Sequence, residues 1–169
     1  MPMDVIGRRS SDKYKVFEDL HGSIWAYNDA HSLSGFGIRF GITHRELEKI
    51  GETKASFFGK IIQSGSHLKS IQMILDKTAD GTGIDSNTLA LQVKTHPELR
   101  DKLHVVTSWG PLPVYPGVVN SELPEDLKTS ITRHLLNMHL DPKWQAQLNQ
   151  YTVSKFVPVT LDLNKGLLK

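Results

Sequence analysis

An apolar run that stops at a polar, glycine-containing turn is the feature that most constrains this fold. Residues 23–27 form a predicted strand that ends in Trp25, Ala26 and Tyr27. The turn at residues 28–36 follows, and the chain then takes on helical character. The same order recurs downstream, where a predicted strand at residues 57–62 runs through a second turn into a helix.

The alternation continues along the chain. Residues 79–84 and 103–107 are predicted strands, with a helix between them, and residues 124–139 have the apolar spacing of a long helix. Further strands are predicted at 118–120 and 156–159. Alternating strands and helices predict an α/β fold with a mainly parallel sheet flanked by helices.

The turns after the strands carry the candidate site residues. Hydroxyl groups and backbone N–H groups at a strand-to-helix turn suit an oxyanion such as phosphate, and the helix dipole adds partial positive charge there. Ligands of parallel sheets gather at the carboxyl ends of the strands. The sequence therefore predicts an oxyanion-binding site built from the first turn, the second turn and the carboxylate after the 79–84 strand: Ser32, Ser34, Gly35, Ser66, His67 and Asp85.

Structural roles compete with this interpretation. A serine-glycine turn is often only a helix cap, and Asp85 is as well placed to cap the helix that begins at Ser86 as to contact a ligand. His67 could bond a backbone carbonyl instead of an anion. Both interpretations stay open at this level.

Composition excludes several function classes. The 169 residues carry a net charge of +2 and no long basic run, which argues against nucleic acid as the main partner. The absence of cysteine excludes disulfides, thiolate catalysis and zinc-thiolate sites. The eight histidines have no convincing metal-ligand spacing, so we expect no metal and no cofactor.

Catalytic motifs are also missing. Ser66 and His67 are adjacent in sequence, which does not give triad geometry, and the chain contains neither a Gly-x-Ser-x-Gly elbow nor a Walker-type phosphate loop. We therefore expect a protein that is not an enzyme.

Residues 1–9 lack the apolar core of a secretory signal, and no apolar run approaches the roughly 20 residues that span a bilayer. If Met1 is the true start, this predicts a cytoplasmic chain; the localisation is otherwise unknown.

The order of the motifs resembles one family, the phosphate, phosphite and phosphonate-binding proteins of bacterial ABC importers. The similarity runs from about Tyr14 to Val159 and includes a proline-rich connector. The motifs that carry it are Asp19-Leu20-x-Gly22, Asp29-x-x-Ser32-x-Ser34-Gly35, Ser64-Gly65-Ser66-His67, Ala79-Asp80, Ile84-Asp85, Gly110-Pro111-x-Pro113 and Phe156-Val157-Pro158-Val159.

The resemblance implies the type 2 periplasmic binding-protein fold, with one near-complete lobe and a partial second lobe. It divides the chain into a lead-in or crossover at 1–16, a ligand-binding lobe at 17–107, a proline-rich hinge at 108–117 and a partial return lobe at 118–169. It also implies the ligand contacts: Ser32, Ser34 and the Gly35 amide hold phosphoryl oxygens, His67 donates to another, and Asp85 accepts from a protonated oxygen or meets an amine.

The implied function is that of a non-catalytic receptor for phosphate, phosphite or a phosphonate, which in a transport setting delivers its ligand to an ABC permease. Two departures support an alternative. Leu33 stands where the family commonly has a hydroxyl residue, and a lobe-half that precedes this region in the family is missing. The alternative is a family-derived scaffold with weakened or lost ligand binding, which self-associates through its incomplete lobe.

Overall fold

The computed structural model describes residues 2–10, 13–29, 42–110 and 116–159. The chain divides into two units, Met1–Leu112 and Pro113–Lys169, which are described separately. Of the predicted site residues, Ser32, Ser34 and Gly35 lie outside the described residues, as do residues 111–115 of the predicted hinge.

The first unit is built on a five-stranded sheet flanked by helices. In chain order its strands are β1 (Met3–Arg8), β2 (Ile24–Tyr27), β3 (Lys60–Gln63), β4 (Gly81–Asp85) and β5 (Leu103–Trp109). Its helices are α1 (Ile42–Lys49), α2 (Lys54–Phe57), α3 (His67–Leu75), α4 (Ser86–Thr95) and α5 (Leu99–Lys102), with a 3-10 helix at Phe17–Leu20.

The strand order across the sheet is β3-β2-β4-β1-β5. Strand β2 pairs in parallel with β3 and β4, whereas β1 is antiparallel to both β4 and β5. Four strands therefore point the same way and only β1 runs against them. The predicted α/β class with a mainly parallel sheet is confirmed.

Each face of the sheet carries its own core, because alternate residues of a strand point to opposite faces. Trp25 of β2 belongs to one core, where its ring stacks on Phe58 at 4.7 Å. The neighbouring Ala26 belongs to the other core, together with Ile71 and Ile74 of α3. The helices on both faces thereby fix the sheet from two sides.

The first strand corrects one expectation. The sequence pattern predicts no strand within residues 1–13, but β1 lies inside the sheet, and Met3, Val5 and Ile6 are fully buried. The strand contains Asp4 and Gly7 among its apolar residues, and these interrupt the two-residue alternation by which a strand is recognised. Asp4 is accommodated because the Ser108 hydroxyl of β5 donates to its carboxylate at 2.6 Å.

The prediction of a strand at residues 57–62 is wrong for residues 57–59. Phe57 ends the short helix α2, and the strand begins only at Lys60. Thr53 accounts for this helix, because its side chain accepts a hydrogen bond from the Ser56 backbone N–H at the helix start.

The second unit contains α6 (Glu125–Asn137), a 3-10 helix at Met138–Leu140, and α7 (Pro142–Gln150). The predicted long helix is confirmed, but the strands predicted at 118–120 and 156–159 are not formed. Strands need a hydrogen-bonded neighbour, and no strand is present among residues 116–159 that could pair with them. Of these residues only Leu148 is buried.

The packing of α3 generates a stability prediction. Ile74 is fully buried on this helix, whereas Leu68 is 54% exposed on the same helix. We expect Ile74→Ala to lower the free energy of unfolding by about 2–5 kcal/mol, because it removes buried methyl groups and leaves a cavity. Urea denaturation followed by circular dichroism measures the loss. Leu68→Ala is the matched control and should change stability by less than about 0.5 kcal/mol; equal losses would contradict the packing described.

Candidate oxyanion site at the carboxyl edge of the sheet

Three parallel strands end at one edge of the sheet. Strand β2 ends at Tyr27, β3 at Gln63 and β4 at Asp85, and β2 lies between the other two. Asn28 and the turn that begins at Ser64 therefore come to the same edge as Asp85. This is the edge at which the sequence predicts the site, and the helices α3 and α4 begin there.

The turn between β3 and α3 is bonded to the end of β2. The Ser64 backbone N–H donates to the Tyr27 carbonyl at 2.7 Å, and the Gly65 N–H donates to the Asn28 carbonyl at 3.0 Å. Gly65 has a φ of +88°, in the left-handed region that favours glycine. These bonds fix the start of α3 relative to β2.

Ser66 begins α3 as its N-cap. Its side chain accepts a hydrogen bond from the Lys69 backbone N–H at 3.2 Å. Because the hydroxyl is an acceptor in this contact, its own hydrogen stays available to donate. The N-terminal amides and dipole of α3 favour a negative charge at this position.

Asp85 begins α4 in the same way. Its Oδ1 accepts from the Thr88 backbone N–H at 2.7 Å, and its Oδ2 accepts from the Thr88 hydroxyl at 2.6 Å. The capping interpretation of Asp85 is thus confirmed. An ionised carboxylate offers about four acceptor positions, so capping does not use up its capacity.

His67 lies between two other side chains at this edge, those of Asp85 and Asn28. Its Nε2 is 3.3 Å from Asp85 Oδ2 and 3.2 Å from Asn28 Nδ2. The His67 and Asp85 side chains are only 18% and 11% exposed. The structure therefore brings these two predicted residues together, with both side chains largely buried.

The pKa of His67 is lowered from its ordinary value. Burial is the larger cause, because removing the ring from water disfavours its charged form, and the nearby Asp85 carboxylate opposes this in part. A histidine that is neutral near pH 7 can still donate through whichever ring nitrogen carries its single hydrogen.

Asn28 and Thr88 were missed as members of this site. Asn28 is the first residue after an apolar strand, and Thr88 is three residues after a capping aspartate, so both occupy positions of recognisable type. Sequence alone does not show that the Asn28 side chain reaches the ring of His67, because that contact depends on where α3 begins.

A cavity of about 710 Å³ lies in the first unit, away from the candidate site. It is lined by residues that include Arg8, Asp76 and Lys102 but not His67 or Asp85. Arg8 is at the end of the antiparallel β1 and thus at the opposite edge of the sheet. The lining of this cavity carries side chains of both charges.

Other site types find no support in the part of the chain that the structure describes. There, no group of three or more histidine, aspartate or glutamate side chains comes together as metal ligands would. Nor does any helix among the described residues have both the length and the apolar character needed to cross a bilayer.

Comparison with known proteins identifies the family. Residues 4–163 match the family of periplasmic substrate-binding proteins of phosphonate ABC transporters. The chain belongs to this family. Members of this phosphonate-binding family are solute receptors, and this agrees with the resemblance carried by the motifs. No curated protein matches the sequence significantly.

Solved structures share the fold of this phosphonate-binding family member. A binding-protein component of a phosphonate ABC transporter from Pseudomonas aeruginosa is 18% identical, with a TM-score of 0.76 over 96% of this chain and 53% of its own. The PhnD1 protein from Prochlorococcus marinus, solved with methylphosphonate, is 15% identical, with a TM-score of 0.78 over 99% of this chain and 64% of its own. The chain thus spans between about half and two thirds of these relatives.

The lowered pKa of His67 predicts a pH dependence of stability. As the pH falls below 6.5, the unfolded chain takes up a proton that the folded chain resists, so the free energy of unfolding decreases. The loss should begin near pH 6.5 and end below the folded pKa. We expect the stability to fall more between about pH 7.5 and 5.5 in the unmodified chain than in His67→Gln.

Urea denaturation at each pH measures this difference. His96→Gln is the control, because the His96 side chain is 59% exposed. It should leave the pH dependence as it is, and an equal effect of both substitutions would contradict the assignment to His67.

Proposed function

We propose that this chain forms the oxyanion-binding part of a solute receptor for phosphate, phosphite or a phosphonate, and that it has no catalytic activity. The observation that carries the proposal is the meeting of His67 and Asp85 at the carboxyl edge of parallel strands, 3.3 Å apart and largely buried. Two helix N-termini begin at this edge, which adds amide donors and partial positive charge.

The proposal assigns a role to each predicted residue. Ser32, Ser34 and the Gly35 amide supply donors to phosphoryl oxygens, with Ser66 and His67 donating from the second turn. Asp85 accepts from a protonated oxygen or meets an amine, and its charge disfavours a fully ionised ligand. In domain terms, residues 17–107 form the binding lobe, 108–117 the hinge and 118–169 the return lobe.

Membership in the family supports the wider setting of this proposal. The partner is a membrane permease of the ABC type, and the location is the periplasm or the cell surface. Support comes from the family match over residues 4–163 and from relatives described as transporter components.

Ligand-induced thermal stabilisation tests the binding. Methylphosphonate, phosphate and phosphite are the probes, and a ligand at one hundred times its dissociation constant should add about 2.7 kcal/mol of stability. Ser34→Ala and His67→Gln should each weaken the binding by roughly tenfold or more, because each removes a donor to a charged ligand.

Two controls make the result interpretable. Asp85→Asn keeps an N-cap of similar quality while removing the negative charge. A change in ligand affinity without a loss of stability would therefore reflect the ligand role of Asp85 and not its capping role. His96→Gln should bind as the unmodified chain does. Binding is contradicted if no probe shifts the unfolding temperature and Ser34→Ala is as stable as the unmodified chain.

A specific observation favours a second candidate, a family-derived scaffold that acts by self-association. Residues 116–159 expose many large apolar side chains and bury only Leu148. Each copy of the chain presents this surface, and association of two copies would remove it from water. The exposed members include Val118 (84%), Leu140 (69%), Tyr151 (64%) and Val157 (51%).

Sedimentation velocity over a range of concentrations distinguishes this candidate. Self-association predicts a mass that rises with concentration, and Leu140→Glu should weaken it by placing a charge in the apolar surface. Leu68→Glu is the matched control, since Leu68 is an exposed leucine of the first unit. A monomer at every concentration would exclude the scaffold candidate without affecting the receptor proposal.

A further inference from the structure

Two serine hydroxyls meet in the interior of the protein, beside the turn between β3 and α3. Ser64 Oγ lies 2.6 Å from Ser70 Oγ, and both residues are buried. Ser70 is one of the buried residues of α3, together with Ile71 and Ile74. Burying a hydroxyl costs free energy unless a hydrogen bond compensates it, so a serine at this position needs a partner. Ser64 is that partner.

The direction of the hydrogen bond follows from the other contacts of the two hydroxyls. Ser64 Oγ lies 3.0 Å from the Tyr27 carbonyl oxygen and 3.1 Å from the Ser66 carbonyl oxygen, and carbonyl oxygens only accept. Within the described part of the chain, Ser64 is the one hydrogen-bond partner of the Ser70 hydroxyl. Both hydroxyls are satisfied when Ser70 donates to Ser64 and the single hydrogen of Ser64 is directed to the carbonyls.

Ser64 thereby joins the end of β2 to the start of α3. Its backbone N–H donates to the same Tyr27 carbonyl at 2.7 Å, so Ser64 is held to β2 by both its backbone and its side chain. The Ser66 carbonyl, at the helix start, also accepts from the Ser70 N–H at 3.0 Å. Because a peptide unit is planar, holding this carbonyl restricts the orientation of the peptide that links Ser66 to His67.

We propose that Ser64 and Ser70 are positioning residues that hold Ser66 and His67 at the carboxyl edge of the sheet. Ser70 donates to Ser64, and Ser64 ties the turn to the end of β2 and to the start of α3. The two serines act through these contacts, since both are buried and bonded to each other. The hydrogen-bonded pair is a property of the ligand-free protein; its effect on oxyanion affinity rests on the proposed function.

Amide hydrogen exchange of the ligand-free chain tests the pair directly. The reporter is the Gly65 N–H, which donates to the Asn28 carbonyl at 3.0 Å across the turn. Ser64→Ala should raise the exchange rate of this amide by about tenfold, because the turn then opens without unfolding of the sheet. Amides of β1 report global unfolding and should respond less. Ile74→Ala is the control, and it should accelerate the β1 amides more than Gly65.

A double-mutant cycle separates positioning from stability. Ser64→Ala removes the acceptor of the Ser70 hydroxyl and leaves that hydroxyl buried without a partner, so it should lower stability more than Ser70→Ala does. Adding Ser70→Ala to Ser64→Ala removes the unpaired hydroxyl and should recover part of the stability. Gly65 exchange should stay fast in this double variant, because the contacts from position 64 to the two carbonyls are not restored.

Methylphosphonate titration connects the pair to binding. The affinity should fall by about tenfold in Ser64→Ala and stay low in the double variant, although the stability of that variant recovers. Ile74→Ala should bind as the unmodified chain does, despite its lower stability.

Two results would overturn the inference. One is a Gly65 exchange rate that is unchanged in both Ser64→Ala and the double variant. The other is an affinity that recovers together with the stability, which is what a purely structural role requires. Faster Gly65 exchange in variants of a chain that binds neither methylphosphonate nor phosphate would instead support the hydrogen-bonded pair and defeat the proposed function.

Discussion

The pairing of β2 with β3 on one side and β4 on the other is the constraint on which the site depends. Trp25 lies opposite Ile61 of β3 and Gly81 of β4, and this register brings the ends of β2 and β3 level, while β4 continues two residues farther to Asp85. Gly81 permits it, since a Cβ there would lie 3.0 Å from Leu20 and 3.2 Å from the Trp25 ring. A slip of one residue would exchange the faces of the strand and separate the side chains at its end.

The site is thus a consequence of backbone order more than of any single motif. Helices α3 and α4 start where their strands stop, and each begins with a capping side chain that also faces the shared edge. Ser66 and Asp85 each begin a helix and lie at the edge where the oxyanion site is proposed. The structural and functional interpretations of such residues are therefore compatible.

The sequence was sufficient to place the elements whose apolar residues recur with a clear strand or helix period. The strand-turn-helix units around Ser64 and Asp85, and the strand that ends at Tyr27, could be placed because an apolar run is followed at once by polar turn or capping residues. Strand β1 was missed because its apolar residues are interrupted and its partners are far away in the chain. The strands expected at 118–120 and 156–159 have the right residues, but pairing is a property of two segments, and one segment cannot reveal its neighbour.

The position of β1 also bears on how the first unit assembles. Met3 pairs with Asp85 on one side and with Trp109 on the other, so β1 takes both of its neighbours from segments far along the chain. Bringing such distant segments together costs loop-closure entropy before any contact rewards it, and folds of this kind acquire their native contacts slowly. The apolar side chains of β1 are therefore fully covered only once both β4 and β5 have been synthesised and have paired with it.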